Sequence, residues 1–123
     1  MYSVTIRQHV MIAHSLPHPA FGPAQQLHGA TYVTDVTFYS EQLREEQIVI
    51  DIALAHDALR EALQPLNYQN LDELPQFKGK LTTTEYLAAY IHGQIKAAVA
   101  DQFDGRIKVT LGESHEAWAS YEA

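Results

Sequence analysis

Residues Thr31 to Phe38 constrain this chain most. Tyr32, Thr34, Val36 and Phe38 fall on one side of an extended segment, and Val33, Asp35 and Thr37 on the other. A period of two is the pattern of a strand with one buried face. Such a face needs a second layer to cover it, so the rest of the chain has to supply one.

Two helical stretches can do so. From Ile52 to Leu63, the residues Leu54, Ala58, Leu59, Ala62 and Leu63 share one helical stripe; Asp51 precedes them as an N-cap and Pro65 follows as a stop. From Glu85 to about Ala100, Leu87, Ile91, Ile95 and Val99 make a second stripe, behind the capping-box-like start Thr82-Thr83-Thr84-Glu85.

The remaining segments read as strands and loops. Val4–Arg7 and Val10–Ala13 form a first strand interrupted at Gln8-His9, and Pro17, Pro19, Gly22 and Pro23 enforce a loop after it. Ile48–Asp51 reads as a short third strand, and the polar stretch from Asn67 to Lys80 as a loop. Asp104-Gly105 signals a turn before a closing pair, Arg106 to Leu111 and Ala117 to Tyr121. The predicted fold is α+β, an antiparallel four-stranded sheet with two helices on one face. With 123 residues, no repeat and no linker, residues 1–123 form a single domain able to bury a core without disulfides.

Composition removes several functions. The chain has no cysteine, which excludes thiol nucleophiles, disulfides and cysteine-bound zinc. Its net charge is −7 and its eight Lys and Arg are scattered, so a nucleic-acid partner is not expected. No apolar run is long enough to span a membrane, and Met1–Arg7 lacks the apolar core of a secretory signal. A cytoplasmic location fits these features.

Chemistry concentrates at the strand ends. His14 follows Met11-Ile12-Ala13 and His28 opens His28-Gly29-Ala30-Thr31-Tyr32, each where strand meets loop. Two neutral imidazoles on neighbouring strands can begin a metal site, although a catalytic zinc usually takes three protein ligands. They can equally be ordinary hydrogen-bonded histidines. Glu113 stands beside Gly112 near the chain's end, where an ionised carboxylate can accept a paired set of donors or simply meet water. His115, two residues on, shares its face if the strand stays regular, which would put a proton-carrying imidazole beside the carboxylate. A solvated turn histidine is the other reading.

These landmarks, taken in order, resemble the 6-pyruvoyl-tetrahydropterin synthase and 6-carboxytetrahydropterin synthase family. The matching runs are Ala13-His14, His28-Gly29, Ile48-Val49-Ile50-Asp51, Thr83-Thr84-Glu85-Tyr86-Leu87-Ala88 and Val109-Thr110-Leu111-Gly112-Glu113. The resemblance implies the tunnelling fold, with sheets joined edge to edge into a homo-oligomeric barrel. It implies zinc at His14 and His28, a pterin anchored by Glu113 with Thr83 and Thr84 beside it, and action on the side chain of a 7,8-dihydropterin. A purine presents a similar edge to such an anchor.

Four positions depart from the family pattern. The third zinc histidine falls on Ala30, the catalytic cysteine on Ala24, and the Asp-His relay on Asn67 and Tyr68. Two functions follow. One is a carbon–carbon lyase of retro-aldol type, with zinc and with His115 as the general base. The other is a pterin- or purine-binding module that keeps the pocket without the synthase chemistry. If a metal binds, a third ligand has to come from His9, His18, His115 or Glu116; strand parity turns His9 away from His14.

Overall fold

In the computed structural model, which describes residues 1–123, seven regular elements make two layers. They are β1 (Tyr2–His14), β2 (His28–Ser40), α1 (Ile52–Leu63), β3 (Gln69–Asn70), α2 (Thr84–Ala98), β4 (Arg106–Gly112) and β5 (Trp118–Glu122). The sheet order is β3-β1-β2-β4-β5, antiparallel throughout except for β3, which runs parallel to β1.

The alternation in β2 is realised as read. Tyr32, Thr34, Val36 and Phe38 are all buried, and they meet Val10, Ile6, Val109, Leu111 and the buried stripes of both helices in one core. Asp51 caps α1, its carboxylate accepting from the Ala53 N–H at 2.9 Å. Thr83 caps α2, its hydroxyl accepting from the Tyr86 N–H at 3.1 Å. Glu85 lies in the first turn but one residue short of the capping-box position.

Three expectations need correction. The sheet has five strands rather than four, because Gln69-Asn70, read as loop, pairs for two residues with Ile12 and Ala13. Ile48–Asp51 is not a strand: Val49 and Ile50 are buried, yet they serve as an apolar lead-in to α1 and pair with no strand. The first strand is continuous, since Gln8 and His9 pair in register with Thr34 and Val33. Polar residues there do not break a strand whose backbone is fully laddered; Gln8 reaches α1, donating to the His56 carbonyl at 3.0 Å.

Candidate functional site

The covered face of the sheet changes character at one end. On β1 it runs Ile6, Val10, Ile12 and then His14; on β2 it runs Phe38, Val36, Thr34, Tyr32, Ala30 and then His28. His14 and His28 are cross-strand partners at the last register position. Residues directly opposite on an antiparallel pair sit side by side, and the two rings stand 4.6 Å apart, edge to face.

Each ring has one nitrogen already committed. His28 Nδ1 lies 2.8 Å from the Gln26 carbonyl, which only accepts, so Nδ1 carries the proton and Nε2 keeps its lone pair. His14 Nδ1 lies 2.9 Å from the Thr82 hydroxyl, in the loop entering α2. Burial, and secondarily the neighbouring His28, push His14 below the usual imidazole range, towards the neutral ring. Neither Nε2 has a hydrogen-bond partner within the chain. The one buried side-chain polar atom without a partner is Thr34 Oγ1, so the Nε2 of His14 opens towards solvent.

Glu113 enters from the other side of the sheet's end. It follows directly on β4, and its Oε2 accepts from the Thr84 hydroxyl at 3.0 Å, which ties it to the first turn of α2. A carboxylate at a helix N-terminus is favoured by the exposed N–H dipoles. The entry to α2 links Glu113 to the histidine pair, since His14 meets Thr82, two residues before the Thr84 that holds the carboxylate. The Thr83 hydroxyl oxygen accepts in the α2 cap, which leaves its O–H available as a donor.

The structure separates His115 from this group. β4 stops at Gly112, and residues 113–117 form the hairpin turn, with the Glu113 and Ser114 N–H groups both donating to the Ala117 carbonyl. The regular strand that would have put His115 beside Glu113 is absent. His115 instead lines, with Arg7, His9, Ser114 and Trp118, an open cavity of about 500 Å³ on the helix-free face.

The remaining candidates are also placed. His9 faces away from His14, as parity requires. His18 accepts from the Ala20 N–H at 3.0 Å and caps the short 3-10 turn that contains Ala24. Asn67 accepts from the Met11 N–H at 3.0 Å, and Tyr68 sits at a φ of 60° with its ring 75% exposed. Neither is set up to relay protons.

The residues present do not fit a three-ligand zinc. The position that would complete the set is Ala30, next to His28 on the same face. Asp72 is held by Ser15, receiving its N–H at 3.0 Å and its hydroxyl at 2.6 Å. No three His, Asp or Glu side chains are grouped closely enough to hold a metal ion.

Sequence reading missed two members of the site. Tyr32 is only 2% exposed, and burial pushes its phenol above the usual tyrosine range, with interaction with the Thr84 hydroxyl working the other way. Its parity with His28 and Ala30 was the available signal. Thr82 had none, because its contact with His14 joins residues 68 apart.

Comparisons with known proteins agree with this fold. The chain superposes on the 6-pyruvoyl tetrahydropterin synthase of Caenorhabditis elegans with a TM-score of 0.83 at 24% identity, covering 100% of this chain and 97% of that one. The Plasmodium falciparum and Plasmodium vivax enzymes of the same name superpose with TM-scores of 0.80 and 0.81 at 15% identity, each covering 99% of this chain and 97% of theirs. At such identities these likenesses speak for the fold. No curated protein matches by sequence. The sequence profile for 6-pyruvoyl tetrahydropterin synthase matches residues 3–123, nearly every position of the chain. The chain therefore belongs to the 6-pyruvoyl tetrahydropterin synthase family.

Proposed function

We propose that this chain binds a 7,8-dihydropterin through Glu113 and acts on its side chain, as a synthase-like protein of carbon–carbon lyase type. One observation carries the reading. The Glu113 carboxylate is held by the Thr84 hydroxyl, two residues from the Thr82 that His14 contacts, on the covered side of the sheet. With one oxygen fixed by Thr84, the carboxylate is oriented to accept the adjacent N–H and NH₂ donors of a pterin's pyrimidine ring. The ring's substituent then points towards the imidazole pair. A purine of guanine type offers the same donor edge and would compete for Glu113.

The second reading is a binding module without turnover, and Asn67 and Tyr68 favour it. The first is spent on the β1 backbone and the second projects into solvent, at the positions where the family resemblance expects a proton relay.

Assembly into a homo-oligomer belongs to the same proposal. Tyr2 to Val10 of β1 pair with no strand on their outer side, and β5 has none on its own. Open edges of this length favour pairing with another copy.

Fluorescence titration with 7,8-dihydroneopterin, followed by product analysis, tests the function. Binding that disappears in Glu113→Ala is expected, with side-chain cleavage under the lyase reading and unchanged ligand under the module reading. Equal affinity in Glu113→Ala would overturn the pocket assignment.

A further inference from the structure

The imidazole pair has lost the partner that a metal needs but has kept everything that holds it in place. Its two rings are fixed at 4.6 Å by register and by separate Nδ1 contacts to Gln26 and Thr82. Those contacts occupy both Nδ1 atoms and leave both Nε2 atoms without a partner in the chain, and at His28, where the Nδ1 partner is a carbonyl, the lone pair lies on Nε2. At the third position Ala30 presents only a methyl group, half-buried against the core. The nearby carboxylates are held by Ser15 and Thr84, at Asp72 and Glu113, and no third ligand is grouped with the two imidazoles.

Two imidazoles alone bind zinc weakly, whereas a catalytic site ordinarily uses three protein ligands. Two neutral imidazoles side by side are nevertheless a good receptor for hydroxyl groups. A neutral imidazole's free lone pair accepts one O–H, so two adjacent rings can take two neighbouring hydroxyls.

We propose that His14 and His28 work without a resident metal, their two Nε2 atoms accepting hydrogen bonds from a 1,2-diol on the ligand's side chain. The diol half of this inference rests on Glu113 holding the ligand's heterocycle; the metal half stands on the donor set alone. Ala30 is then the residue that decides between the two chemistries. A histidine there would sit one pleat from His28 on the same face and complete a three-imidazole set.

The test uses untagged protein from zinc-replete growth. Its metal content is measured, and its affinity is compared for 7,8-dihydroneopterin, which carries adjacent hydroxyls, and 6-methyl-7,8-dihydropterin, which carries none. Both titrations are run with and without a chelator. Zinc well below one per chain is expected, with a preference for the diol of about tenfold or more, unchanged by chelator and lost in His28→Ala. Ala30→His should gain near-stoichiometric zinc, seen also as the intense visible bands of tetrahedral cobalt after substitution.

Near-stoichiometric zinc in the unaltered protein, or a diol preference that chelator abolishes, would overturn the proposal whether or not Ala30→His folds. Equal, Glu113-dependent binding of both pterins would overturn the role of the pair and leave the pocket reading intact. Failure of both pterins to bind would instead overturn the pocket reading, and the diol contact with it.

Discussion

The two faces of this sheet are built from the same strands and have opposite characters. On the covered face, Val36, Phe38 and Val109 are wholly buried beneath the helices. On the free face, the same strands carry a polar lattice: Arg7 pairs with Asp35 at 2.7 and 2.9 Å, Thr5 with Thr37 at 2.8 Å, and Arg106 with Glu122 at 3.0 Å. The candidate site belongs to the first face and lies where its apolar run gives way to histidine. Histidines occur on both faces, at His14 and His28 on one and at His9 and His115 on the other. Only the covered pair has its ring nitrogens fixed by neighbours. The difference teaches that residue type alone does not mark a site; the second layer that desolvates and orients a side chain does.

The contrast can be broken most forcefully in the core. Phe38→Ala should cost about 3–5 kcal/mol, because the ring is fully buried and packs edge to face on Phe103 at 5.3 Å. One residue back on the free face, Thr37→Ala should cost under about 1 kcal/mol. Urea unfolding of both measures the asymmetry directly, and similar losses would mean that the faces are not distinct.

Next in size is the binding contrast. Glu113→Ala should weaken dihydropterin affinity by about a hundredfold, the scale of lost hydrogen bonds to a charged group. His115→Ala, on the opposite face, should leave affinity within about twofold on the same estimate. A His115→Ala loss matching that of Glu113→Ala would place His115 in the site through another copy of the chain.

A smaller effect, of opposite sign, is expected at Thr34. Its hydroxyl is buried without a partner, so Thr34→Val should stabilise the protein by about 1 kcal/mol, read from the urea midpoint. Destabilisation would reveal a hydroxyl partner.

The pH dependence of Tyr32 sharpens the same point. Its phenol is raised in the folded state, so above about pH 10 the unfolded chain loses that proton before the folded one does. The folded state then binds more protons, and stability falls as pH rises through that window. Among seven tyrosines, Tyr32 should ionise late in an ultraviolet titration of the folded protein, and Tyr32→Phe should remove that late step. The smallest effect belongs to the free face: Arg7→Ala should lower the thermal midpoint least, and high salt should erase the difference.

Much of this was legible in the residues themselves. The alternation of Thr31–Phe38 and the stripe and cap of α1 are local patterns with a fixed period, and each formed as read, while the α2 start formed one residue later than the capping box at Thr82 implied. The two-residue β3 was not legible, because its pairing depends on α1 and its stop delivering Gln69 beside Ile12. His115 failed for a related reason: parity carries a side chain only as far as the strand continues, and β4 ends at Gly112.

The sequence by itself determined the α+β order, the buried face of β2, and the pair of strand-end histidines, because side-chain period and hydrophobic burial are local consequences of residue order. Tertiary structure alone decided which neighbours those histidines meet. It brought Thr82 to His14 and Thr84 to Glu113, left Ala30 where a third imidazole would stand, and sent His115 across the sheet. Such contacts join residues far apart in the chain, and they are fixed by how the layers pack.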